Sequence, residues 1–428
     1  MALQNEWTLG LAAQPIAWAF SFCATCLAVG CVPDLGEWTG FIVLLAPASG
    51  ALYTSSNLSP NSYFNDTYSR FVIILFSYMV ALCFMPGGRA DQWTQATKDK
   101  TKELDTSWRA GWKRAYNARG IGLVWENPYL WPEQKSTLVF AKPASDAFKD
   151  KSVEAPASRH ALATRGKWSA VLIHSVYLLL NYVAMKLYFE YRVSATVGGF
   201  MPSDLSPEKE GILRRLYHQS QPHPEQMMTS PVTIRELQIR LLLAANKFIP
   251  DVLSLSAFHD LLAIVFIATG IDQPWEWPPL FGPLSEAYTM RRFWANFWHR
   301  LVYKSFNFHA STVTKALRIP QGTLFSRILN NCLVFVLSAI MHATVTWLYG
   351  GRCAWGRGTM AFWCIQPLSF VLEGLVQCSW KQYRKRMLWW MNASVMAVFE
   401  RAAGYGWVVA WLMWCAPKAD FTFQNCRA

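Results

Sequence analysis

The chain has 428 residues, of which 53% are hydrophobic, 15% aromatic and 16% charged. Soluble domains carry roughly 25% charge, so a water-exposed globule of this size is excluded, and the 22 tryptophans suit the two interfaces of a bilayer. The formal charge of +13 lies in loops between apolar runs rather than in a basic domain, which argues for a membrane topology and against nucleic-acid binding.

A membrane-crossing helix needs about 20 apolar residues. In chain order the expected spans are 11–32, 38–53, 70–88, 168–190, 251–271, 324–349, 359–378 and 394–416. The expected fold is therefore all-α, a polytopic integral membrane protein of about eight transmembrane helices. It has an N-terminal membrane region (1–88), a loop region (89–167) and a second membrane region (168–428). The first run begins near Leu11 without a basic leader and reads as an anchor rather than a cleaved signal. Ile234, Leu237 and Leu241 share a face, which predicts an interfacial helix over 232–250 before the fifth span. The Pro-rich polar stretch 200–231 reads as a loop.

The cysteines follow the apolar runs. Cys23 and Cys26 form a CxxC, but no second pair or nearby histidine cluster completes a metal site, so they read as packing residues and no metal is expected. Charge orients the spans. Fifteen Lys/Arg between Arg89 and Lys167, and the cluster Lys381–Arg386, belong in the cytosol. Residues 54–69 then face the lumen, with the glycosylation sequons at Asn57 and Asn65. No internal repeat is present.

Two segments carry the chemistry. The sixth span, Cys332 to Tyr349, is almost wholly apolar, with a lone histidine, His342, near its middle. An imidazole in hydrocarbon needs a partner and marks a functional site by default. Kept neutral, it accepts protons. Phe335, Ser338 and His342 fall on one helical face. The bland alternative is a core histidine bonded within the bundle. Upstream, Arg291-Arg-Phe-Trp-Ala-Asn-Phe-Trp-His-Arg300 predicts an interfacial helix. Its apolar stripe is Phe293, Trp294, Phe297, Trp298 and Leu301, with Arg292, Asn296, His299 and Tyr303 on another side. The bland alternative here is an aromatic and cationic membrane anchor. His174, His259, Asp260, Glu373, Glu400 and Arg401 also lie in or near apolar runs, each expected to meet a partner on another helix.

Phe293-Trp294 with Trp298-His299, followed 43 residues later by His342, resembles the wax synthase-like branch of the membrane-bound O-acyltransferases. The lead-in Pro283–Arg292 and the element Arg119-Gly-Ile-Gly-Leu-Val-Trp125 are similar to fungal members of that branch. The resemblance implies that His342 is the catalytic base. Asn296 or His299 would serve the oxyanion. His299 stands where the wider superfamily usually has asparagine, which leaves its role open. Arg291, Arg292, Arg300 and Lys304 would hold coenzyme A phosphates, and Trp294, Trp298 and Ser338 would line the substrate. No bound cofactor is expected, only an acyl-CoA co-substrate, acetyl-CoA by the same resemblance. It also implies a lipophilic alcohol as acceptor, a terpenoid or meroterpenoid of fungal secondary metabolism, and residence in the endoplasmic reticulum. A long-chain wax ester synthase is the alternative within the class, and a proton-coupled transporter the alternative outside it.

Overall fold

The computed structural model describes residues 9–32, 34–85, 107–121, 126–127, 162, 164–191, 199, 201–220, 230–350, 357–387 and 392–421. Most of the 89–167 loop region and Trp125 lie outside them. Among the described residues the chain is helical throughout, without a strand. It divides into two units, one made of Met1–Pro128 and Arg300–Trp355, the other of Tyr129–His299 and Gly356–Ala428.

The first unit holds α1 (Leu9–Cys31), α2 (Glu37–Thr54), α3 (Ser62–Phe84), α4 (Trp108–Tyr116), α8 (Tyr303–Ala316) and α9 (Leu324–Gly350). Helix α1 packs on α2 and α4, and α3 on α2, α8 and α9. The core between α1, α2, α3 and α4 is Phe22, Cys26, Leu44, Ala48, Tyr78, Met79, Leu82 and Ala115. Glycines let α1 and α4 touch: a Cβ on Gly30 would strike the carbonyl of Gly111. Close approach of this kind is how membrane helices gain packing without a hydrophobic driving force. The buried Arg114 guanidinium closes the contact by donating to the Gly30 carbonyl at 2.9 Å, and Tyr78 donates to the Arg114 carbonyl at 2.6 Å.

The second unit holds α5 (Lys167–Tyr191), α6 (Ile212–Gln219), α7 (Ile234–Thr269), α10 (Arg357–Cys364), α11 (Gln366–Met387) and α12 (Ala393–Cys415). Helix α7 packs along α5 and meets α12. Two expectations are corrected here. The interfacial helix and fifth span are one 36-residue helix that passes through Pro250. A proline removes one backbone hydrogen bond. Two residues before the proline, Phe248 meets Phe293 and Trp298 edge-on at 5.3 Å each, which anchors that turn of the helix. At 1.5 Å per residue α7 is about 54 Å long, beyond a hydrocarbon core of about 30 Å. The 200–231 stretch is also not wholly a loop, for it contains 3₁₀ turns and α6. Buried Arg215 on α6 forms a two-pronged pair with buried Glu236 of α7 at 2.9 and 2.8 Å, which ties this segment down.

Among the described residues, six helices are long and apolar enough to cross a bilayer: α1, α3, α5, α7, α9 and the consecutive α10–α11. The other two expected spans form α2, an 18-residue helix with Pro47 inside it, and α12, which carries Glu400 and Arg401. The α10–α11 run breaks at Ile365, two residues before Pro367, and Pro367 sits in the first turn of α11, where its missing N–H would be unpaired anyway. Glu400 meets its partners on another helix as expected, accepting from Trp380 at 2.8 Å and Arg384 at 2.6 Å.

Candidate functional site

In the first unit, α9 runs unbroken because Leu, Val, Ile, Phe and Ala fill it with no interior glycine or proline. Every backbone group near His342 can therefore bond within the helix, which hydrocarbon requires. Ser338 and Phe335 are buried and His342 half-buried on the face they share. Thr346, one turn on, donates to the His342 carbonyl at 2.8 Å. The next turn is anchored by Tyr349, whose hydroxyl lies 2.8 Å from both Ser55 Oγ and the Asn65 carbonyl and 2.5 Å from Ser69 Oγ. This knot joins α9 to α3 and fixes the helix seven residues beyond His342.

The same knot decides the second sequon. Asn65 is buried, its Nδ2 donates to the carbonyls of Ser56 (2.8 Å) and Ser59 (2.9 Å), and its Oδ1 accepts from Ser59 N. A glycan on Nδ2 is incompatible with this arrangement, so Asn65 is a structural residue and not a folded-state acceptor. Arg300 and Lys304 also belong to this unit. Arg300 is buried with its guanidinium 3.8 Å over the Tyr303 ring, and its carbonyl accepts from Asn127. Lys304 is half-buried, and loss of water pulls its ammonium below the ordinary lysine range.

The second unit holds the aromatic element, and the predicted interfacial helix is corrected in its geometry. A single α-turn, Met290–Arg292, passes into a π-turn over Phe293–Phe297, closed by Trp298 N on the Phe293 carbonyl at 2.8 Å. The chain leaves the helix at Trp298, so Leu301 and Tyr303 do not continue its stripe or its polar side. The π-turn fits the large rings: Phe293, Trp294 and Trp298 gather around Phe248 together with Phe362, while Phe297 packs on Phe293 and Phe281, and Trp363 on Trp294. Extra backbone width of this kind recurs at functional sites. His299 lies beside this cluster, edge-on to Phe281 at 5.6 Å.

Remote side chains hold the segment. Thr289 caps it by accepting from Arg292 N at 3.1 Å. The buried carboxylate of Glu373 accepts from Met290 N, from Arg291 N at 3.2 Å and from Trp407 Nε1 at 3.0 Å, filling donors that a helix start leaves open. Gln366 accepts from Trp294 Nε1 (3.3 Å) and Trp411 Nε1 (3.2 Å) and donates to the Phe362 carbonyl. Glu286 takes both Arg292, in an ion pair, and Asn296 Nδ2 at 3.3 Å. Gly282 N donates to the Phe297 carbonyl, and a Cβ on Gly282 would collide with the Asn296 carbonyl. Arg291 is exposed, with one NH2 on the Phe370 carbonyl.

The predicted site residues are thus divided between the units. His342, Ser338, Arg300 and Lys304 belong to the first, and Asn296, His299, Arg291, Arg292, Trp294 and Trp298 to the second. Sequence reasoning missed Glu286 and Gln366, which look like ordinary polar residues in the chain. It noted Glu373 as an intramembrane acid in need of a partner, and that partner is the backbone of the aromatic element.

Residues 277–365 match the membrane-bound O-acyl transferase family. The chain is 33% identical over 164 residues to acetyltransferase ataH of Aspergillus terreus, an overlap of 38% of this chain and 52% of that one. It is 31% identical over 171 residues to acetyltransferase atnC of an Arthrinium species, covering 40% and 38%. It is 29% identical over 183 residues to acetyltransferase TRI7 of Fusarium sporotrichioides, covering 42% and 40%. The chain spans about half or less of the length of these curated relatives. No solved structure matches it. The resemblance drawn from the FW…WH element and His342 is borne out over the segment that carries it.

Proposed function

We propose that this member of the membrane-bound O-acyltransferase group transfers an acetyl group from acetyl-coenzyme A to a hydroxyl of a lipophilic alcohol, a terpenoid or meroterpenoid. The observation that carries the proposal is His342, a histidine inside the apolar helix α9 and within the 277–365 match. Neutral His342 takes the proton from the alcohol as its oxygen attacks the thioester carbonyl. The tetrahedral intermediate collapses with cleavage of the carbon–sulfur bond, and the same imidazole returns the proton to the leaving thiolate. A base in this role contributes about 10²–10⁴-fold.

A donor to the oxyanion supplies the other part of the rate, and Asn296 and His299 are the candidates. Glu286 orients the Asn296 amide and neutralises Arg292. Among the cations, exposed Arg291 is the best placed to meet coenzyme A phosphates, with Arg292, Arg300 and Lys304 as further contributors. Trp294, Trp298 and Ser338 supply apolar and hydroxyl contacts to the acceptor. His342 stands eight residues from the Gly350 end of α9, about 12 Å along the axis. That depth favours an acceptor that partitions into the bilayer. Residence in the endoplasmic reticulum, with 89–167 cytosolic, fits the charge distribution.

The test is incubation of membranes carrying the full chain with labelled acetyl-coenzyme A and a panel of terpenoid alcohols. A labelled ester, absent from membranes without the chain, is expected. Ester formation from long-chain acyl-coenzyme A and a fatty alcohol, with none from acetyl-coenzyme A, would overturn the acetyl assignment in favour of wax ester synthesis. A water-soluble sugar turned over as well as the terpenoids would overturn the lipophilic acceptor.

A further inference from the structure

Helices α5 and α7 of the second unit run antiparallel. Tyr188 of α5 bonds Asn246 of α7 near one end, and Lys167 approaches Gly270 at the other. Helix α5 buries little of itself. Ala170, packed on Ala263 and Ile267, is its one buried residue among the described residues, while Leu172, Leu179, Leu180, Val183 and Leu187 point outward. Lipid is as apolar as leucine, so two such helices gain little from burying these side chains against each other, and polar contacts must do much of the joining.

Those contacts converge on one place. His174 and Asn181, two turns apart on α5, both face Asp260 of α7: His174 Nδ1 lies 2.8 Å from Asp260 Oδ1, and Asn181 Nδ2 donates to Oδ2 at 3.2 Å. The neighbouring His259 adds Nδ1 at 3.7 Å from the same Oδ1. Its ring is backed edge-on by Trp277 at 5.1 Å, itself stacked on Phe266 at 6.0 Å. His259 and Asp260 are only 9% and 6% exposed.

A carboxylate in an apolar helix pair needs one counter-charge, and a single imidazolium would supply it. The second imidazole is then surplus, since two protonated rings on one carboxylate repel each other. Two imidazole nitrogens and a carboxylate oxygen, all within 4.8 Å of one another, are instead the donor set of a zinc-class divalent ion. Such an ion takes its ligands at about 2.0–2.2 Å, so shifts of about an ångström or less would seat it. Asn181 already holds the second carboxylate oxygen, the outer contact that orients a ligating carboxylate.

We propose that His174, His259 and Asp260 form a binding site for a zinc-class divalent cation that clamps α5 to α7, with one coordination position left for water or a small donor. The sequence hides this site because 86 residues separate His174 from Asp260.

The test uses the full chain purified in detergent, stripped with chelator, reloaded with zinc alone and desalted. One tightly held zinc per chain and a higher thermal unfolding midpoint are expected. His174→Ala combined with His259→Ala should lose the ion, and Asn181→Ala should weaken it about 10–100-fold. Cobalt substituted into the wild-type chain should give the visible spectrum of nitrogen and oxygen ligation. That reading does not depend on any variant folding. Wild-type chain that retains no zinc would overturn the proposal, leaving a His–Asp hydrogen bond only. So would full retention by the double variant, or a sulfur-to-cobalt charge-transfer band, since either places the ion on other residues.

Discussion

The two stretches that carry the candidate chemistry are held by opposite means. His342 sits on α9, a continuous helix whose own backbone bonds fix it and whose far turn is pinned by Tyr349. The aromatic element around Asn296 and Trp298 has one α-turn and one π-turn, and its shape is set by Glu373 and Gln366 from a distant helix, α11. In the first stretch a substitution acts through the side chain it removes. In the second, residues remote from the chemistry control where the reactive groups point.

The largest expected effect tests the self-supporting half of that contrast. His342→Ala and His342→Gln should both lower ester formation by about 100-fold or more, with wild-type accumulation in membranes, because neither change disturbs the α9 backbone. Glutamine keeps hydrogen-bonding capacity but takes no proton near neutral pH. Near-normal turnover by His342→Gln at wild-type protein levels would remove His342 from the mechanism and reduce it to a core residue.

The next two changes probe the other half. Gly282→Ala drives a methyl into the Asn296 carbonyl, which the adjoining Gly282–Phe297 bond prevents from moving away. Overpacking of this kind costs about 1–3 kcal/mol, and a drop in both unfolding midpoint and kcat is expected. Glu373→Gln is milder. Its oxygen still accepts from Met290 N and Trp407 Nε1, but its amide nitrogen then faces the Arg291 N–H and leaves that donor unsatisfied, at a cost of about 1–3 kcal/mol. A lowered kcat with normal membrane insertion is expected. Unchanged kinetics in both variants would show that the aromatic element holds its own shape and would dissolve the contrast.

The smallest effect is a pH dependence in the first unit. His309 on α8 has Nε2 3.1 Å from the Ser77 carbonyl, which makes that nitrogen the donor of a neutral ring. Burial holds the imidazole below its usual range. The unfolded chain therefore takes up the proton first as pH falls. Stability from this group is complete above about pH 6.5 and declines below it. The unfolding midpoint in detergent should fall between about pH 7 and 5, and His309→Gln should flatten that slope. An unchanged slope would assign it to other groups.

Much of the molecule was legible along the chain. Each expected span corresponds to helix, because hydrocarbon demands long apolar runs with their backbone bonds closed, and that demand is written locally. The lone histidine of α9 and the FW…WH element stood out for the same reason: in an apolar context polar residues are rare enough to be noticed. The fusion through Pro250 was not legible, since a proline reads locally as a helix boundary, while Phe248 packs on Phe293 and Trp298 from a separate segment. Nor was the π-turn, which rests on rings and carbonyls brought together from several helices.

What the sequence determined by itself was the solvent of this protein, its helical class and the residue types able to do its chemistry, because burial in a bilayer selects composition residue by residue. Only the tertiary structure decided which polar groups meet. It turned Asn65 from a glycan acceptor into a backbone clasp, made Glu373 and Gln366 the posts of the aromatic element, and drew His174 to Asp260 across 86 residues. A side chain's spacing fixes its face on a helix, but its partner belongs to another helix, and pairing between helices is set by packing that no local pattern encodes.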